Sequence, residues 1–192
     1  FSSRRRHTRF RNVTGVQTCA LPISSGSSTS SRVQTAVPAA HPASARPMVI
    51  EAATPRDLPA VHNLLARHHL PLDEVDAHVD TMIVARSEHG IVGTAALELY
   101  VDGALLRSVA VDPDFQGQQL GHRLTGAALQ MAQAKGVDTV FLLTTTADKF
   151  FPKLGFEQIR RADVPESVQA SVEFQSACPS SAVVMRKRLT MR

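Results

Sequence analysis

The segment that most constrains this chain is Leu105 to Gly121, Leu-Leu-Arg-Ser-Val-Ala-Val-Asp-Pro-Asp-Phe-Gln-Gly-Gln-Gln-Leu-Gly. An apolar run ends at Asp-Pro-Asp and a glycine-bearing polar turn follows. Leu120, Leu124, Ala127, Ala128 and Met131 then recur at helical spacing up to Gly136. The pattern predicts a buried strand that turns sharply into a helix. The first turn of a helix leaves its N–H groups unpaired at the positive end of the macrodipole, so this turn can hold an anion without any lysine. It is not a Walker loop, because no Gly-Lys-Ser/Thr follows, and Gly117 with Gly121 does not complete Gly-x-Gly-x-x-Gly. From the residues alone two readings stand: a phosphate cradle, or two glycines that only shape a surface turn.

Elements on either side set the fold class. Met48 to Ala53 predicts a short strand, and Thr54-Pro-Arg-Asp-Leu-Pro supplies turn and cap residues before Val61, Leu64, Leu65 and His68 recur at helical spacing. Leu72 to Asp80, after Pro71, predicts a second, acidic helix with a solvated face. Met82 to Arg86 and Ile91 to Tyr100 flank Ser-Glu-His-Gly, and Asp102-Gly103 separates Tyr100 from Ala104 to Val111, so three successive strands are expected to be antiparallel. Thr139 to Leu143, beyond the crossover helix, should run parallel to the strand before that helix. A short helix over Ala147 to Leu154, a strand over Phe156 to Ile159, a helix over Pro165 to Ser176 and a last strand over Ala182 to Leu189 complete the prediction. The order is mixed α/β, with helices on both faces of one sheet.

Charge is distributed unevenly. Residues 1–47 hold seven of the 21 basic residues, all arginine, and none of the 17 acids, which leaves residues 48–192 with 14 basic and 17 acidic groups. That mildly acidic body argues against the cationic stripe that a phosphate backbone needs, so nucleic acid is not an expected partner. A body of this size can bury one core, and a single domain over residues 48–192 is expected. No apolar run approaches the roughly 20 residues of a membrane-spanning helix. Cys19 and Cys178 are split between tail and body, so neither a disulfide framework nor a cysteine-rich zinc site is expected, and a reducing cytoplasm fits. The Ser-, Pro- and Ala-rich stretch before Met48 has too little apolar surface to order itself and predicts a disordered tail. Phe1 to Ile23 resembles the conceptual translation of a sequencing adapter; the alternative is an Arg-rich, acid-free transit sequence.

Element order and the Leu105–Gly121 motif together resemble the GNAT family of acyl-CoA-dependent N-acetyltransferases, over about Met48 to Leu189. The resemblance implies the GNAT-like fold: a mixed, mostly antiparallel central sheet with one splayed parallel strand pair and helices on both faces. It implies acetyl-CoA as co-substrate, with its pyrophosphate on the loop Gln116, Gly117, Gln118, Gln119, Leu120, Gly121 and His122, where Gln119 stands in place of the usual middle glycine. It implies pantetheine along Val109 to Val111, Phe151 beside the thiol arm, and the Val109 N–H as oxyanion donor. Leu142-Leu-Thr-Thr-Thr-Ala, Glu173-Phe174, Cys178-Pro-x-Ser-Ala and Met185-x-Lys are similar to the acetyltransferases of arsenic-resistance operons and, more distantly, to the acetyltransferase domain of N-acetylglutamate synthase. That likeness implies a small acceptor carrying a primary amine and an anionic group.

Glu98, at the end of an apolar strand with Tyr100 on its face, is the candidate base; the alternative is a strand-end carboxylate facing water. Phe151 stands where the family carries its proton-donating tyrosine, so the thiolate is expected to take its proton from solvent. Arg107 interrupts an otherwise apolar strand, and a buried guanidinium demands an anion, either the carboxylate of the acceptor or an internal partner, Glu98 or Asp148. Ser108, Thr144 and Thr145 offer hydroxyls to the acceptor at strand ends, where ligands of α/β sheets collect. Cys178 reads as a structural, buried residue, and His62, His68 and His69 lack the carboxylate spacing of a metal triad, so no metal is expected. The apolar last strand offers an edge for pairing in a homodimer.

Overall fold

The computed structural model describes residues 48–190, so the expectations for residues 1–47 and for Cys19 lie outside the described residues. One seven-stranded sheet runs in the order β1-β2-β3-β4-β5-β7-β6, with β1 Val49–Ala52, β2 Met82–Ser87, β3 Gly90–Tyr100, β4 Gly103–Val111, β5 Thr139–Thr144, β6 Glu157–Ile159 and β7 Val183–Arg188. All neighbours are antiparallel except β4 and β5, which run parallel, as the crossover through a helix requires.

Helix α1, Leu58–Arg67, buries Val61, Leu64 and Leu65 on one face of β2, β3 and β4. Helix α2, Leu120–Ala134, covers the opposite face with Leu120, Leu124, Ala128, Leu129 and Ala132, each such leucine contributing about 2 kcal/mol on burial. It lies close because β3 carries glycine where it crosses: a Cβ on Gly93 would sit 2.7 Å from Leu124 Cδ1 and 3.3 Å from the Ala110 carbonyl. Among the described residues no helix is long and apolar enough to cross a membrane.

Three expected helices are shorter than their patterns suggest. The acidic segment after Pro71 forms only a kinked 3-10 stretch, Val75–Thr81, because Glu74 takes a left-handed conformation at its start (φ 56°) and His78 leaves helical torsions. The segment around Pro152 shrinks to one 3-10 turn, Phe151–Leu154, closed by Gly155 at φ 82°. The predicted helix over Pro165 to Ser176 breaks into a four-residue α3, Glu166–Gln169, and a π-helical turn, Glu173–Ala177. Cys178 is buried, packed with Phe174 and Val184.

Candidate active site

Two irregularities in β4 create the site. The first is a bulge. Thr94 pairs with Ala110 and Ala96 with Arg107, so β4 carries one residue more than β3 over this stretch, and Ser108 absorbs it in a left-handed conformation (φ 53°). The second is a splay. β4 and β5 pair only at Ala104↔Val140 and Leu105↔Phe141, and no register joins the later residues of the two strands. The carboxyl ends of both strands therefore part around a gap, the place where parallel sheets gather ligands.

At the end of β4 the chain makes a 3-10 turn, Pro113–Phe115, capped by the Asp112 carboxylate on the Asp114 N–H at 3.1 Å. The Gln116 side-chain amide donates to the Val111 carbonyl at 3.0 Å and ties the loop back to its strand. Gly117 (φ 78°) and Gln119 (φ 59°) are both left-handed, and Gln119 is the N-cap of α2. Gln119 thus adopts the torsion usually left to glycine, at a cost of about 1 kcal/mol. The first intrahelical bond reaches back from Arg123 to the Gln119 carbonyl at 3.1 Å. Among the described residues the N–H groups of Leu120, Gly121 and His122 have no backbone acceptor. They face a cleft of about 460 Å³ lined by Val111, Gln116, Gly117, His122, Phe150 and Lys153, among others. Lys149 and Lys153, one helical turn apart, bring positive charge to the far wall. Sequence reasoning passed over both, although their i,i+4 spacing after Thr146 was readable.

The strain at Gln119 gives a direct check. Gln119→Gly should leave affinity for coenzyme A equal or higher. Gln119→Val should weaken it by about 1–2 kcal/mol, because a β-branched residue tolerates this torsion worst. Isothermal titration of the two variants separates these outcomes.

Of the expected cofactor residues, Val111, Gln116, Gly117, Gln119, Leu120, Gly121 and His122 line the cleft, and Val109, Gln118 and Phe151 do not. Val109 and Val111 are buried in β4, and His122 lies against Phe150 at 4.6 Å between ring centroids. Gln118 turns away, its amide 3.5 Å from the Asp114 carbonyl. Phe151 is fully buried between Phe150 and Phe156 and does not line the cleft; Phe150 does. The turn around Pro152 and Gly155 swings residue 151 into the core and leaves residue 150 at the wall.

On the other face, beneath α1, lies a buried ionic cluster. Arg107 has no exposed surface. Its Nη1 donates to Glu98 Oε2 at 3.0 Å, its Nη2 donates to the Asp73 carbonyl at 2.5 Å, and its Nε lies 3.3 Å from Glu173 Oε1 without hydrogen-bond alignment. Glu98 also accepts from the Tyr100 hydroxyl, and His78 Nε2 stands 3.5 Å from its other oxygen. Glu98 is thus a buried, doubly held carboxylate and does not face water. The expected internal partner Asp148 is exposed in the cofactor cleft; Glu173 takes its place. Burial pushes the Glu173 carboxyl up to about 7, with Arg107 opposing and Glu98 and Asp73 adding to the rise. Burial and the bond to Glu98 raise the Tyr100 hydroxyl, and burial holds His78 below the usual imidazole range.

Of the hydroxyls expected at the acceptor, Ser108 is buried in the bulge with an unpartnered oxygen. The Thr144 hydroxyl accepts from the Ala147 N–H at 3.0 Å, and Thr145 is half-buried beside it; Thr146 reaches the cleft. The helix α1 histidines scatter: His62 bonds Asp76 at 2.6 Å, His68 is buried, and His69 is exposed. Glu74, His78 and Glu98 bring ligand-type atoms within 4.8 Å of one another, but Glu98 in that group already serves Arg107.

A seven-stranded mixed sheet with one splayed parallel pair and a helix-N-terminal cradle beside the gap defines a class. Residues 78–158 match the acetyltransferase (GNAT) domain family, and the sheet is the mixed α/β fold of that family. An amino-acid acetyltransferase of Pasteurella multocida is 26% identical over 139 residues, covering 66% of this chain and 31% of the relative. A ribosomal protein bS18-alanine N-acetyltransferase of Haemophilus ducreyi is 34% identical over 76 residues, covering 38% of this chain and 52% of the relative. The chain therefore spans between about a third and a half of these relatives. In fold it is similar to N-acetylglutamate synthase from Neisseria gonorrhoeae complexed with coenzyme A and N-acetyl-glutamate, with TM-score 0.65 and 20% identity over 74% of this chain and 35% of that one.

Proposed function

We propose that this chain is an acetyl-CoA-dependent N-acetyltransferase acting on the amine of a small, anionic, amino-acid-like acceptor by direct attack. The observation that carries the reading is the turn from Gln116 to His122. Two left-handed residues present the unpaired N–H groups of a 15-residue helix to a cleft of suitable size, with lysines opposite. Those N–H groups hold the diphosphate, Val109 to Val111 align the pantetheine arm, and Phe150 closes over it. When bound, acetyl-CoA supplies a thioester carbonyl near the β4 bulge.

The chain's own groups do the rest. The Val109 N–H, turned by the bulge, steadies the negative charge that grows on the carbonyl oxygen. Glu98 is the proposed base: it takes the proton that the ammonium must lose before its nitrogen attacks, by way of solvent that entry of the acceptor must first admit, because its carboxylate is buried in the free protein. The new C–N bond forms as the C–S bond breaks, the nitrogen sheds its second proton to solvent to leave a neutral amide, and the thiolate, whose ordinary pKa is near 8.5, takes one up from solvent. Arg107, with Ser108, Thr144 and Thr145 around the gap, orients the acceptor through its anionic group. The amino-acid acetyltransferase relative and the product held in the Neisseria structure support this acceptor class. The motifs shared with arsenic-resistance enzymes extend the panel to organoarsenical and phosphinothricin-like amines, and a cytoplasmic setting suits that role.

The test is amine-dependent release of free thiol from acetyl-CoA across L-amino acids, including L-glutamate, and those toxin-like amines. Release with an anionic amino acid and none with its neutral amide is expected. Tight coenzyme A binding without release for any amine would instead make the chain a CoA-binding regulatory module, the reading that Phe151 in place of a tyrosine favours.

A further inference from the structure

If Arg107 is to meet an acceptor, something must first uncover it, because its side chain has no exposed surface in the described protein. Of its three partners, two are well-made hydrogen bonds, to Glu98 at 3.0 Å and to the Asp73 carbonyl at 2.5 Å. The third is different. Glu173 stands 3.3 Å from Nε with poor alignment, and Nε is the one guanidinium nitrogen that makes no hydrogen bond. Glu173 also belongs to the least regular part of the domain, the run from α3 through the π-helical turn at Glu173–Ala177, where a longer helix was the expectation. A π turn inserted into a helical sequence often marks a functional element.

We propose that Glu173 is a resident stand-in for the acceptor's carboxylate: it sits on the Nε edge of Arg107 in the free protein, and residues 166–177 lift to surrender that edge when an anionic acceptor enters. The inference rests on the acceptor class proposed above and names its docking edge. Where Glu173 is ionised, exchange of one carboxylate for another leaves the charge around Arg107 unchanged, so the cost of entry is then the movement of the segment alone. An acceptor lacking an anionic group cannot make the exchange, which is how the segment selects.

The groups facing Glu173 give the exchange a pH dependence. Arg107 from β4 favours its ionised form; burial, Glu98 from β3 and Asp73 from the loop after α1 disfavour it, and its carboxyl is pushed up to about 7. His78 and Tyr100 reach Glu98 rather than Glu173, Arg161 donates to the Phe174 carbonyl, and Cys178 lies 3.6 Å from Glu173 Oε2. With the carboxyl raised above its unfolded value, the closed arrangement binds a proton more tightly than the open one. Closure is therefore fully favoured at low pH and weakens as pH rises through about 7. The segment should open above neutrality, where amines are also better nucleophiles.

Hydrogen exchange of the backbone over residues 166–177 tests this without depending on turnover. Corrected for the chemical rate, exchange in the coenzyme A-loaded protein should rise severalfold from pH 6 to pH 8, and rise again at pH 8 with L-glutamate as probe. Glu173→Gln should be protected and flat across this range, with thermal stability at pH 8 equal to or above that of the parent. Identical pH profiles for the two proteins, no response to L-glutamate at pH 8, or a stability loss in Glu173→Gln would each overturn the proposal. A failure of thiol release in the acetylation assay would strike the enzymatic reading separately, since the pH profile of exchange is measured without an acceptor.

Discussion

Gly121→Glu is expected to lower affinity for coenzyme A by about a hundredfold or more, which calorimetry on the full chain reads directly. Gly121 is buried in the first turn of α2, next to the N–H groups of Leu120 and His122 that have no backbone acceptor. A carboxylate there fills the concavity and sets a like charge against a diphosphate, a juxtaposition worth several kcal/mol. Because position 121 is buried, the melting temperature of the variant is read alongside, and lost affinity at an unchanged melting temperature is the expected result. Retained affinity would mean that the anion does not sit on this helix end.

Arg107→Met is expected to be the most destabilising single substitution in the domain. Glu98 and Glu173 are both buried and share this cation, and removing one partner of a buried ion pair costs about 3–5 kcal/mol because the remaining charge has no solvent. For a domain of this size the melting temperature should fall on the order of 10 °C. The deficit should depend on pH in a definite sense. Glu173 titrates near 7 even with Arg107 present, and higher without it, so protonation below pH 6 neutralises the orphaned carboxyl and recovers part of the loss. A melting temperature unchanged at pH 8 would show that the cluster is not an energetic unit.

The contrast between these residues explains what the sequence could and could not reveal. The strand–turn–helix of Leu105 to Gly121 was legible because the signals are local: apolar alternation, Asp-Pro-Asp, glycine, then 3.6-residue spacing. The three antiparallel strands were legible for the same reason. Residue 107 announced that it needed an anion, and of the two internal partners expected for it Glu98 makes the bond; Glu173 was out of reach of that reading, since it lies 66 positions later in a run that reads as an ordinary helix. That run breaks into α3 and a π turn, and Glu173 comes to lie 3.3 Å from the guanidinium, a tertiary placement with no local signature. Phe150 and Phe151 illustrate the same limit, as adjacent residues of one type whose roles are decided by the turn around Pro152.

The narrow join between β4 and β5 has a mechanical consequence. Among the described residues, two pairs, Ala104↔Val140 and Leu105↔Phe141, form the ladder that links a four-stranded wing, β1 to β4, to a three-stranded wing, β5, β7 and β6. The apolar packing, by contrast, runs unbroken beneath the join: Leu106 and Val109 of one wing share a cluster with Val140, Leu142 and Met185 of the other, and Leu105 shares one with Phe141 and Leu143 on the opposite face. The mouth is thus propped by side chains rather than by backbone rungs, so its width answers to substitutions in the layer below it.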